Sequence, residues 1–182
     1  MEWLFVGLVL VVVVWVVLDS LRLGISPMPS LGKARQAVLE QLSPQQEGTF
    51  LELGSGWGDL VLGMVARCPK LQVVAYEGAW VPWMVGWMRC RFSRYAERIA
   101  WKRCNFLKTT WPPSVQGVVC YLFPRAMREL AKELPLRLPA GTVVISHAFA
   151  IPGWKPERVV HLSDIFRTPV YVYRIPSLSE PT

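Results

Sequence analysis

The sequence predicts an α/β domain, a mostly parallel sheet with helices on both faces, preceded by one N-terminal transmembrane helix. Three observations predict it. Short apolar runs alternate with segments of helical period along residues 33–176, the order that puts a crossover helix between parallel strands. The first run ends in the glycines Gly54, Gly56 and Gly58, and the second ends in the acid Glu77. The opening stretch, Trp3 to Leu18, is sixteen residues without a charge or a strongly polar group.

That opening stretch is read as an uncleaved membrane anchor over residues 1–22. Trp3 and Trp15 lie near its ends, and tryptophan favours the headgroup level. Leu21, Leu23 and Ile25 extend the apolar length past Asp19 and Arg22, enough for a thin or locally thinned bilayer. A cleaved signal peptide needs a basic start and a small-x-small cleavage site, whereas the chain opens Met-Glu-Trp and has no Ala-x-Ala after the run. Glu2 precedes the run, while Arg22, Lys33 and Arg35 follow it. Positive residues favour the cytoplasmic side, so the domain is expected in the cytoplasm, or on the matrix side of an organelle. Residues 23–32, with Pro27, Pro29 and two glycines, read as a linker.

The domain is expected over residues 33–176, with a short tail at 177–182. Lys33 to Leu42 has helical spacing of Ala34, Ala37, Val38 and Leu42 before Pro44. Strands are expected at 49–53, 72–76, 99–103, 117–122 and 141–147, and helices at 59–67, 79–93 and 125–133. Pro135 is expected to end the last of these helices. Two closing strands, 157–162 and 169–175, read as a hairpin.

Composition narrows the class. The 182 residues carry a net charge of +7, from 20 Lys+Arg against 13 Asp+Glu, and 52% are hydrophobic. Such hydrophobicity excludes a disordered chain. Only one stretch approaches the roughly 20 apolar residues of a span, which excludes a multi-span channel. Cys68, Cys90, Cys104 and Cys120 have no Cys-x-x-Cys spacing, and the only histidines are His147 and His161. No zinc site is expected; the cysteines read as buried thiols in a reducing compartment.

The chemical signal is Glu52-Leu53-Gly54-Ser55-Gly56-Trp57-Gly58-Asp59 between the first strand and its helix. Ligands of open α/β sheets bind outside the carboxyl ends of the strands, and Glu77 is placed to accept hydrogen bonds from ribose hydroxyls. No Gly-Lys-Ser/Thr follows, so a P-loop is excluded. A dinucleotide loop needs glycine where Asp59 stands, and an acid there repels pyrophosphate. Two acids suit a ligand with a ribose and a cationic or amino-acid part.

These residues resemble motif I of the class I S-adenosylmethionine-dependent methyltransferases, whose ribose-binding acid Glu77 resembles. The pattern narrows to the single-span membrane-anchored lysine methyltransferases of the mitochondrial type and their prokaryotic relatives. Pro82-Trp83 after the second strand, Val118 to Pro124 with Met127 and Leu130, and Pro152-Gly153-Trp154 are similar to that family. Trp57 and Asp59 depart from its usual Asp and Arg. The resemblance implies a class I methyltransferase-like (Rossmann-like) fold and S-adenosylmethionine as cofactor. It implies that Glu52 orients the loop and the methionine ammonium, and that Gly54, Ser55, Gly56 and Gly58 wrap the methionine part. Glu77 is implied to hold the ribose, Asn105 and Phe106 to flank the adenine, and Phe123 and Pro124 to line the methyl channel.

The expected function is N-methylation of a lysine of a membrane protein near the cytoplasmic or matrix surface. A lipid or small-molecule methyltransferase and a non-catalytic tethered scaffold are the rivals. Methyl transfer from a sulfonium needs orientation more than acid catalysis, which agrees with the absence of a triad. His147 is a candidate proton acceptor. Arg89, Arg91, Arg94, Arg98, Lys102 and Arg103 put six positive charges into fifteen residues, read either as a solvated face or as contact with anionic lipid headgroups. No nucleic-acid partner is expected.

Overall fold

A computed structural model describes residues 32–176 and, in the N-terminal segment, seven helical positions: Glu2, Trp3, Val6, Gly7, Leu10, Val11 and Val14. Most of the expected anchor, the linker up to residue 31 and the tail at 177–182 lie outside the described residues. Among the described residues no helix is long and apolar enough to cross a membrane.

Seven strands form one sheet: β1 Gly48–Leu53, β2 Leu71–Glu77, β3 Ile99–Arg103, β4 Val115–Cys120, β5 Val143–His147, β6 Arg158–His161 and β7 Pro169–Arg174. Their spatial order is β3-β2-β1-β4-β5-β7-β6. β1 to β5 pair in parallel, while β7 runs antiparallel to both β5 and β6. The expected closing hairpin is therefore present. Within residues 32–176 four α-helices accompany them: α1 Gly32–Glu40, α2 Asp59–Arg67, α3 Trp80–Arg91 and α4 Pro124–Arg137.

Period-2 alternation splits the strands between two cores. Phe50, Val73, Ala75, Val119 and Ile145 pack with Val38 and Leu39 of α1 and Val61, Met64 and Val65 of α2. Leu51, Leu53, Val74, Tyr76, Val118 and Val144 pack on the other face with Met127, Leu130 and Leu134 of α4. Burial is nearly complete along β1, β2, β4 and β5 but not along the edge strands β3 and β6, as expected of strands covered on both faces.

Several boundaries shift by about two residues, β4 running Val115–Cys120 where 117–122 is expected and β5 starting at Val143 rather than 141; the largest departure has a physical reason. α4 continues through Pro135 to Arg137. Proline removes a helical donor, but the last turn is held from outside. The Arg137 guanidinium donates to Glu133 Oε2 at 2.6 Å, Leu107 O at 2.6 Å and Thr109 O at 2.9 Å. Leu134 and Leu138, on either side of the proline, are both buried. In α3, Pro82 sits in the first turn, where no intrahelical donor is needed.

Candidate active site

The glycine loop is fastened at both ends by backbone. Gly54 N and Ser55 N both donate to Tyr76 O, at 2.9 and 3.0 Å, which ties the exit of β1 to the end of β2. Gly54, Gly56 and Gly58 have φ of 77°, 52° and 84°, left-handed values that favour glycine. Gly58 caps α2. Arg89 of α3 reaches across to donate to Trp57 O at 2.6 Å and pairs with Asp59 Oδ1 at 2.8 Å. The acid at the helix mouth is thus partly offset by an arginine.

Glu77, at the end of β2, is 1% exposed and braces the loop. Its Oε2 accepts from Gly56 N and its Oε1 from Ala79 N, both at 2.7 Å. Glu52, on β1, is 4% exposed, and its Oε2 has no hydrogen-bond partner. Burial, and then the nearby Glu77 charge, hold its carboxyl well above the usual range. A buried acceptor without a donor is costly. Here it marks a place that an ammonium group fits. A side chain built at Gly56 would meet nothing within 4 Å, so the loop is open on that side. These residues fit a ligand with an amino-acid part and a ribose.

Parallel register aligns Leu53 with Cys120 and Cys120 with Ser146. The next residues, Gly54, Tyr121 and His147, follow on three adjacent strands, about 10 Å across at the usual strand spacing. His147 is 7% exposed and neither ring nitrogen has a partner. Burial lowers its pKa, opposed in part by Asp164. Tyr121 lies against it with ring centroids 4.6 Å apart. Phe149 stacks on Tyr121 at 6.2 Å, and Phe123 meets Phe149 edge-on at 6.0 Å. Pro124 opens α4 beside this cluster. Sequence reasoning assigned no role to Tyr121 or Phe149. Their signal was an aromatic residue just beyond the ends of two adjacent parallel strands.

Asn105 and Phe106 are placed differently from each other. The Asn105 side-chain Oδ1 accepts from Leu107 N at 2.9 Å and caps a short 3-10 turn. Phe106 is buried in the core at 4% exposure. His161 lies exposed on β6, away from the β4–β5 cluster. All four cysteines are free thiols, with Cys68, Cys90 and Cys120 buried and Cys104 only half-buried.

A family model described as the ANTKMT methyltransferase domain matches residues 52–158, from Glu52 of the loop to the start of β6. The chain belongs to this family. The methyltransferases of the family take S-adenosylmethionine as methyl donor. The mouse adenine nucleotide translocase lysine N-methyltransferase is 30% identical over 138 residues, covering 73% of this chain and 58% of that protein. A second mouse lysine N-methyltransferase, named for a subunit of ATP synthase, is 29% identical over 133 residues, covering 71% of this chain and 51% of that one. The chain thus spans little more than half the length of these relatives. Among solved structures, an RNA methyltransferase from Salinibacter ruber with S-adenosyl-L-homocysteine superposes with a TM-score of 0.73 at 22% identity, over 85% of this chain and 97% of that one. The methyltransferase domain therefore has the class I fold that the glycine loop and strand order implied.

Proposed function

We propose that this chain is an S-adenosylmethionine-dependent N-methyltransferase acting on a lysine of a membrane protein near the cytoplasmic or matrix surface. One observation carries it. Two buried polar groups without partners, Glu52 Oε2 and the His147 ring, stand at the same sheet end on either side of Tyr121. One suits the ammonium of a methionine part, the other the amine that is to be methylated. The names of both mouse relatives, lysine N-methyltransferases of adenine nucleotide translocase and of ATP synthase, support the substrate class.

When bound, S-adenosylmethionine supplies a methyl group on a sulfonium whose departure as a neutral thioether needs no acid. The chain's residues do the rest. Glu52 accepts from the ammonium, Gly54 to Gly58 approach with bare backbone, and Glu77 holds the ribose hydroxyls. Asn105 and Phe106 border the adenine. Phe123 and Pro124 line the channel, where Tyr121 and Phe149 present ring faces to an amine. Exclusion of water there favours the neutral amine, and His147, kept neutral by burial, takes up the ammonium proton at a ring nitrogen. Orientation supplies most of the acceleration.

The anchor over residues 1–22 and the ten-residue linker hold the domain near the bilayer, since the linker extends at most about 33–36 Å. Tethering raises the effective concentration of a lysine at the headgroup level. Calorimetric titration of the chain with S-adenosylhomocysteine tests the cofactor site. Binding that is weakened by Glu77→Ala supports the reading, and no binding by the folded chain overturns it.

A further inference from the structure

α3 carries its residues in an inverted arrangement. The face against the sheet is small, with Pro82, Gly86 and Cys90 buried. The opposite face is large and apolar: Trp80, Met84, Trp87 and Met88 are 38, 37, 40 and 39% exposed, and Phe92 beyond the helix end is 82% exposed. Positions 80, 84, 87 and 91 fall on one stripe of a helix. A surface helix ordinarily turns its polar side to solvent, and a contiguous exposed apolar patch marks a surface that docks on something.

The surroundings say what kind of surface. Trp80, Trp83 and Trp87 form a stacked ladder, with centroids 5.3 and 6.3 Å apart. Stacking holds these indoles as a preformed row. Arg91, Arg94 and Arg103 are exposed on this side, and Arg103 lies over the Trp80 ring at 5.1 Å, whereas Lys102 lies over Tyr76 on the other face of the sheet. Between residues 78 and 110 the only acid is Glu97. The other two charges of the basic cluster serve the fold. Arg89 pairs with Asp59, and Arg98 donates to Val65 O, Cys68 O, Pro69 O and Leu71 O. What remains is a row of tryptophan and methionine side chains bordered by three arginines. That is the chemistry of the interfacial zone of an anionic bilayer, where indoles lie at headgroup level and arginine and lysine meet the headgroups.

We propose that the outer face of α3, with the exposed end of β3, is a lipid-docking surface that lays the domain on a bilayer carrying anionic headgroups. Trp80, Met84, Trp87 and Met88 enter the interface, while Arg91, Arg94 and Arg103 contact the headgroups. α3 begins three residues after Glu77, so docking this face also fixes the direction in which the glycine loop and the β4–β5 cluster point. The docking does not depend on which group the domain methylates.

The test uses the full chain, reconstituted in phosphatidylcholine vesicles or in vesicles of phosphatidylcholine mixed with phosphatidylglycerol, each doped with a photoactivatable lipid. Adducts are mapped by peptide. The expected result is labelling at residues 80–92 in the mixed vesicles and several-fold less in pure phosphatidylcholine. Arg91→Glu combined with Arg94→Glu should reduce that labelling several-fold, and Trp87→Ser should also reduce it, with labelling of residues 3–18 unchanged. Absence of adducts at 80–92 in the wild-type chain, or equal labelling in the neutral vesicles, would overturn the proposal. The wild-type map stands whether or not either variant folds.

Discussion

Glu52→Gln separates binding from stability at one atom. In the free protein Glu52 is 4% exposed, its Oε2 has no partner, and Glu77 and Asp59 both repel its charge. The neutral, isosteric variant keeps a buried polar atom but sheds the charge with its desolvation and its repulsion by Glu77 and Asp59, so it should be more stable at neutral pH by on the order of 1–3 kcal/mol. For a domain of this size each kcal/mol moves Tm by about 2–4 °C, which gives a rise of roughly 2–12 °C. The pH dependence has a definite sign. The folded-state pKa lies above the ordinary carboxyl value, so the native state binds more protons between the two values. Wild-type stability therefore falls as pH rises from about 4.5 through that window, and Glu52→Gln removes that fall. Thermal unfolding of both proteins from pH 4.5 to 8 without ligand reads this directly. Titration with S-adenosylhomocysteine should show weaker binding by the same variant. A variant that is less stable at pH 7, or that binds the ligand as tightly as wild type, refutes the assignment of Glu52 as the buried counter-charge for the ammonium.

His147, whose pKa is lowered by burial, binds fewer protons in the folded state than in the unfolded state. Stability should therefore fall as pH drops below about 6.5, and His147→Gln should flatten that slope in unfolding measurements at pH 5 and 7.5. The same variant should lower the methyl-transfer rate and remove its dependence on a group titrating below neutrality, with cofactor affinity unchanged. Gly86→Ala puts a Cβ into the Trp101 indole and 3.0 Å from Gly56 O; it should cost about 1–3 kcal/mol by overpacking, seen in denaturant unfolding, and weaken ligand binding by shifting the loop. Arg98→Ala leaves the carbonyls at the α2–β2 turn without their shared donor and should cost about 2–3 kcal/mol, seen as a lower midpoint with cofactor affinity retained.

Much of this was legible in the sequence because it rests on local rules. The helix at 59–67 and the strand at 99–103 follow from glycine and proline punctuation and from the switch between periods of 3.6 and 2. The loop from Glu52 to Gly58 and the acid at Glu77 follow from their places at strand ends. What was not legible depends on contacts between distant residues. Pro135 reads as a stop, and only the reach of Arg137 to residues 107 and 109 shows why α4 passes it. Arg89 and Arg98 look like surface charges until their partners, some thirty residues away, are seen. The aromatic group of Tyr121, Phe123 and Phe149 around His147 comes from aligning β4 with β5, a register that no single segment encodes.

The central claim is methyl transfer to protein lysine, and one assay meets it most directly. Membranes from cells lacking the protein are incubated with the purified full chain and S-adenosylmethionine tritiated in the methyl group. The protein fraction is then separated from the organic phase and hydrolysed to amino acids. The account predicts label in methylated lysine, lost with Glu77→Ala and reduced with His147→Gln. Label confined to the organic phase would instead make the chain a lipid methyltransferase, and cofactor binding without label in either phase would make it a non-catalytic scaffold; both would contradict the account.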